Sequence, residues 1–209
     1  MPRTSRAVPA AGIGSAVRAL NPGSFALVMA TGIVSIAMYN HHAEALSVAL
    51  LWVAIVAYAV LVVLYGWRLI AVTDAVRADL ADPGRAFGFF TFVAGTCVLG
   101  TRIIADGHHT IALVLLTVGW LAWLVLGYVV PWTAALGTAR RPVIRYANGT
   151  WFIWAVASQS VAVLAAALEP VIANGRDSLA LLAVFSWSIG VFLYAAGGVF
   201  VAARMLTYP

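Results

Sequence analysis

Three segments of this 209-residue chain place hydroxyl and amide side chains inside otherwise apolar runs. The first holds Ser24, Thr31 and Ser35, the second Thr91, Thr96 and Thr101, the third Thr150, Ser158, Gln159 and Ser160. An aromatic precedes a hydroxyl by six residues in each, at Phe25/Thr31, Phe90/Thr96 and Phe152/Ser158. On a helix that spacing sets the hydroxyl about 9 Å beyond its aromatic. The seven acids are Glu44, Asp74, Asp79, Asp82, Asp106, Glu169 and Asp177, and all fall between the apolar runs. Proton relays and cation sites within a bilayer use buried carboxylates or histidines. Hydroxyls without acids instead suit hydrogen bonding to a neutral or negatively charged solute.

Those residues must be positioned by helices in lipid. The composition is 64% hydrophobic and 9% charged, whereas a soluble domain carries about 25% charged residues. Charge-free windows run over Ala19–Asn40, Ala45–Trp67, Ala86–Thr101, Thr110–Ala139, Tyr146–Leu168 and Ser178–Ala203. A spanning helix needs about 20 apolar residues. The expectation is an all-α integral membrane protein with a cytoplasmic basic segment over 1–20 and a six-helix membrane domain over 21–206. Its helices are placed at about 21–40, 45–67, 86–105, 110–132, 148–168 and 178–204.

All twelve basic residues are arginines. With the N-terminus inside, ten fall in inner segments and only Arg102 and Arg176 in outer ones. Lys/Arg bias in short loops orients a membrane protein, so both ends are expected in the cytoplasm, at the plasma membrane. The same scatter of charge between apolar runs argues against nucleic acid as a partner. The loop from Arg68 to Arg85 reads as a solvated helical turn or two. The second and fourth helices are plain Leu, Val, Ala, Trp and Tyr. Small and polar residues belong at helix contacts or along a wet path. The helices thus sort into three hairpins with the odd-numbered members inside.

Particular residues leave paired readings. Thr31 shares a face within roughly 40° with Ser24, Val28 and Ser35, for helix packing or for a pore lining. Gln159 needs a buried partner, either another helix or a solute. Arg102 can snorkel from a short span or draw anions to an outer mouth. His41-His42 and His108-His109 are solvated loop residues lacking an acid or cysteine to complete a metal set. Asn21-Pro22-Gly23 is similar to the Asn-Pro-Ala of water channels but is not matched in the second half. With no His in any span and no Walker segment, no enzyme, metal or cofactor is expected.

The stretch Asn21-Pro-Gly-Ser-Phe-Ala-Leu-Val-Met-Ala-Thr-Gly-Ile-Val-Ser35 resembles the opening helix of the tellurite-resistance/C4-dicarboxylate transporter family, which includes the slow anion channels. Phe89-Phe-Thr-Phe-Val-Ala-Gly-Thr-Cys-Val-Leu-Gly100 and Asn148-Gly-Thr-Trp-Phe-Ile-Trp-Ala-Val-Ala-Ser-Gln-Ser160 resemble its third and fifth helices. The resemblance implies hairpins around a central pore, usually a homotrimer, passing C4-dicarboxylate, sulfite, tellurite, chloride or nitrate passively or with weak coupling. Thr31, Thr96, Ser158 and Gln159 would then line the path and Arg102 bias its outer mouth. Family members have ten helices with the gating phenylalanine in the ninth, so the chain reads as lacking the last four. Trp154 stands where the family's fifth helix often has proline. The rival readings are a non-transporting membrane subunit or inactive fragment, and an unrelated six-helix transporter.

Overall fold

The computed structural model describes residues 12–136 and 141–208. Most of the expected N-terminal segment, with Arg3 and Arg6, lies outside the described residues, as does Arg140. The described residues are helical, with no strand among them. The helices are α1 (Ile13–Arg18), α2 (Ala26–Asn40), α3 (Glu44–Ala71), α4 (Thr73–Leu80), α5 (Phe90–Ile104), α6 (His109–Val130), α7 (Phe152–Leu168) and α8 (Arg176–Thr207). Short 3-10 turns at Pro22–Phe25, Ala86–Phe89 and Gly149–Trp151 lead directly into α2, α5 and α7.

Six of these segments are long and apolar enough to cross a membrane: Pro22–Asn40, Glu44–Ala71, Ala86–Ile104, His109–Ala134, Gly149–Leu168 and Arg176–Thr207. The second and sixth run longer than the sequence pattern indicates. Helix α3 continues to Ala71, and the inner loop then holds α4, with Asp74 in its first turn and Arg77 in its last. Those charges complement the helix dipole.

Each even span packs chiefly on the odd span before it, so α2 pairs with α3, α5 with α6 and α7 with α8. Between hairpins the principal contacts join α5 to α2 on one side and to α7 on the other. The third span is therefore the centre of the molecule. In its apolar window 78% of residues are buried, against 22% in each of the three even spans. Small residues make this possible, since they let helix backbones approach where no hydrophobic force drives association in lipid. A Cβ on Gly100 would lie 2.7 Å from Leu164 of α7. A Cβ on Gly32 of α2 would lie 2.7 Å from Val98 of α5, and one on Gly119 of α6 equally close to Cys97. The even spans turn Trp52, Val63, Tyr128, Val125, Leu181 and Phe192 outward, all exposed. An apolar exterior around a small-residue centre is what hydrocarbon solvation demands.

Candidate functional site

The odd spans begin alike. Asn21 Oδ1 accepts the Gly23 N–H at 2.9 Å, Asp82 Oδ1 the Gly84 N–H at 2.9 Å, and Asn148 Oδ1 the Thr150 N–H at 2.8 Å. Each side chain closes the backbone two residues on, and the chain passes through a 3-10 turn into helix. Because each even span returns the chain, the three starts lie at one end of the protein, the arginine-rich end.

The starts are stitched together. The Thr91 hydroxyl reaches the Pro22 carbonyl at 3.2 Å, joining the third start to the first. Asn148 Nδ2 donates to the Gly84 carbonyl at 3.3 Å and Trp151 Nε1 to the Pro83 carbonyl at 3.0 Å, joining fifth to third. Gly88 lets the first and third starts meet backbone to backbone, since its absent Cβ would stand 3.0 Å from the Gly23 nitrogen.

A cavity of about 390 Å³ opens between the three starts. It is lined by Asn21, Gly23, Ser24, Gly84, Arg85, Gly88, Thr91 and Thr150, with Ala26 and Ile153 at its inner wall. Arg85 is 44% exposed there, its Nε 3.2 Å from Asp79 Oδ1. The lining hydroxyls spend their protons on the protein: Ser24 on the Asn21 carbonyl (2.8 Å), Thr150 on Asn148 Oδ1 (2.6 Å), Thr91 on the Gly88 carbonyl (2.7 Å). Attraction for a negative solute thus comes from the helix starts, each carrying roughly half a positive charge, and from the Arg85 guanidinium.

Further along the same three spans a second cavity of about 410 Å³ lies over α5. Ile33 and Ile36 of α2, Val98 and Thr101 of α5, and Ala155, Val156, Gln159, Ser160 and Val163 of α7 line it, with Gly190, Val191 and Tyr194 of α8 at its edge. Beyond the cavity at the helix starts (the mouth), this second groove is apolar, its polar lining side chains being Thr101, Gln159, Ser160 and the Tyr194 phenol.

The five residues singled out in the sequence separate here. Gln159 lines the groove and donates Nε2 to the Trp187 carbonyl of α8 at 3.2 Å, close against Gly190. Thr31 is half-buried, and its hydroxyl folds back onto the Leu27 carbonyl of its own helix at 2.8 Å. Thr96 and Ser158 do not face the groove. Thr96 is fully buried, donates to the Phe92 carbonyl (2.7 Å) and meets the Tyr58 hydroxyl of α3 at 3.0 Å. Ser158, equally buried, accepts the Trp123 indole N–H of α6 at 2.8 Å. Both hydroxyls tie odd spans to even ones, because a buried phenol or indole needs a partner. Thr96→Val and Ser158→Ala are therefore expected to cost about 1–2 kcal/mol each by stranding that partner. Thermal melts in detergent would show this, with little change in flux per folded molecule.

Arg102 is enclosed rather than set at an open mouth, with its side chain 1% exposed. Its Nε donates to both Ser35 Oγ and Ser47 Oγ at 3.1 Å. Its NH1 meets Asp106 at 3.1 Å, and the guanidinium sits 4.8 Å from the Tyr39 ring centroid. The two serines already exchange bonds, each hydroxyl donating to the other's carbonyl at 2.7 Å. Arg102 thus pins α2, α3 and α5 together at the far end from the mouth. Among the described residues no three His, Cys, Asp or Glu side chains gather as a metal site.

The residue pattern read along the chain does not single out the mouth. Asn21-Pro-Gly, Asp82-Pro-Gly and Asn148-Gly-Thr ahead of the three hydroxyl-bearing segments are the signal that could have found it. Residues 19–209 match the family model described as voltage-dependent anion channel. No curated protein and no solved structure matches the chain.

Proposed function

Because the chain belongs to the voltage-dependent anion channel family, whose members are channels and transporters rather than enzymes, we propose that it carries small anions through the groove between its odd spans. The observation that supports this most is the meeting of three parallel helix starts around Arg85. Negative solutes are drawn to that end by backbone dipoles and one guanidinium. With the arginine bias it is the cytoplasmic end, both termini being inside, in the plasma membrane. From there a partly dehydrated ion enters the groove past Gln159, against walls that offer no carboxylate. The permeant class is that of the family resemblance (C4-dicarboxylate, tellurite, sulfite, halide or nitrate), moving passively or with weak coupling. The assembly is a homo-oligomer, a trimer by the same resemblance.

A second reading has its own support. The named hydroxyls along the odd spans give their protons to the backbone or to other protein groups, as they would in a non-transporting subunit whose polar residues serve packing.

Flux decides between them. In liposomes the purified chain is expected to release chloride or nitrate and not potassium. Arg85→Gln is expected to lower the rate about threefold to tenfold at low ionic strength, with the difference shrinking in high salt as the field is screened. Cation flux, or anion flux indifferent to Arg85, would overturn the anion mouth. Folded protein without flux would favour the packing reading.

A further inference from the structure

The guanidinium that lines the mouth is held by an acid outside the cavity. Asp79 is in the last turn of α4, with its side chain 6% exposed. Its Oδ1 takes Arg85 Nε at 3.2 Å, and its Oδ2 takes Arg68 NH2 at 2.6 Å. Arg68 is 1% exposed, at the inner end of α3. Its NH2 also donates to the Arg18 carbonyl at 3.2 Å, while its buried Nε and NH1 have no hydrogen-bond partner among the described residues. So enclosed a cation leans on the Asp79 carboxylate, which is the acid paired with it. Asp79 is itself placed by the fold. Helix α4 is tied at its start by an Asp74–Arg18 ion pair and at its last residue by Thr133, whose hydroxyl donates to the Leu80 carbonyl at 2.8 Å.

We propose that Asp79, held in place by Arg68, is the residue that sets how strongly the mouth holds an anion, by orienting Arg85 and offsetting part of its charge. The proposal rests on the anion mouth described above. Its physical sense lies in the two demands on a conducting site, which must attract an ion enough to admit it and weakly enough to release it. Three helix starts with an arginine freed of Asp79 would bind more tightly and release more slowly. Asp79 is a positioning residue, reaching the ion only through Arg85.

The test removes both buried charges at once, so that neither is stranded. Arg68→Met/Asp79→Asn removes the pair without stranding either charge and leaves Arg85 without its Asp79 partner. The readout is the nitrate concentration at half-maximal thermal stabilisation of the purified protein, which reports binding whether or not ions cross. The double variant is expected to lower that midpoint about twofold to fivefold: the two charges removed cancel in sum, but the negative one is the one that touches Arg85. Adding Arg85→Gln should abolish the gain. Asp79→Glu, which keeps the charge, should leave the midpoint near that of the native protein. A double variant that folds and binds nitrate no more tightly would overturn the role of Asp79. If Arg85→Gln alone also leaves the midpoint unchanged, the anion mouth falls with it; if it weakens binding, only Asp79 is removed. Where the double variant does not assemble, Asp79→Asn, measured the same way, decides the matter by the same outcomes.

Discussion

Arg102→Ala is expected to destabilise the protein by about 3–5 kcal/mol, the sum of a void where a long buried side chain stood and the loss of charge-assisted bonds to Ser35 and Ser47. The residue is 1% exposed, so little of its stem packing is replaced by water or lipid. Asp106 loses its partner as well, but at 35% exposed it can rehydrate and adds little. Arg102→Met should recover the packing share and not the polar one. Arg102→Lys should recover less than its charge suggests, since an ammonium cannot place one N–H between two serines while stacking on Tyr39. The measurement is an apparent melting temperature by intrinsic fluorescence in detergent, beside anion flux at low salt. An outer-mouth role predicts the reverse ordering, with Lys nearly normal in flux and Ala stable but slow. That outcome would restore Arg102 to the anion path.

The second large effect is expected at Gly88. Its position admits no side chain without moving backbone, because a Cβ would meet the Gly23 nitrogen at 3.0 Å and Pro22 atoms at 3.3 Å. Flexible side-chain ends can yield to such crowding, but two helix starts held by Asx turns and by the Thr91–Pro22 bond cannot slide apart freely. Gly88→Val should cost about 2–3 kcal/mol of overpacking strain and splay α2 from α5 at the mouth. With the starts no longer convergent, anion flux should fall more than about tenfold, further than for Arg85→Gln, since several dipoles lose their common focus. Gly88→Ala should fall between, because the neighbours must yield only a few tenths of an ångström. Normal flux in a folded Gly88→Val protein would show that this contact does not shape the path.

Both residues show where a linear reading stops. Arg102 looks the same in sequence whether it snorkels, faces a pore or staples helices. Its partners Ser35 and Ser47 stand 67 and 55 residues away, and nothing local marks them. Thr96 and Ser158 share with Thr31 a common spacing from an aromatic. Spacing fixes depth along a helix, but azimuth depends on which neighbour packs on which face. Tyr58 and Trp123 claim those two hydroxyls from the even spans. Asp82 and Asp79 read as loop acids, yet one closes a helix start and the other holds the mouth's arginine.

What the residue order determined by itself was the six spans, their sorting into hairpins and the burial of the third and fifth; the first, expected inside as well, is only 28% buried in its apolar window. Hydrocarbon imposes its demand over runs of about 20 residues, and small or hydroxyl side chains within such a run mark the faces that lipid does not touch. Those are local constraints, legible one segment at a time. Only the packed structure decided that the three Asx-led helix starts meet around one cavity, that Arg85 is bridled by Asp79, and that Arg102 is buried. Each of these depends on distances between groups far apart in the chain, and such distances exist only once the helices have chosen their neighbours.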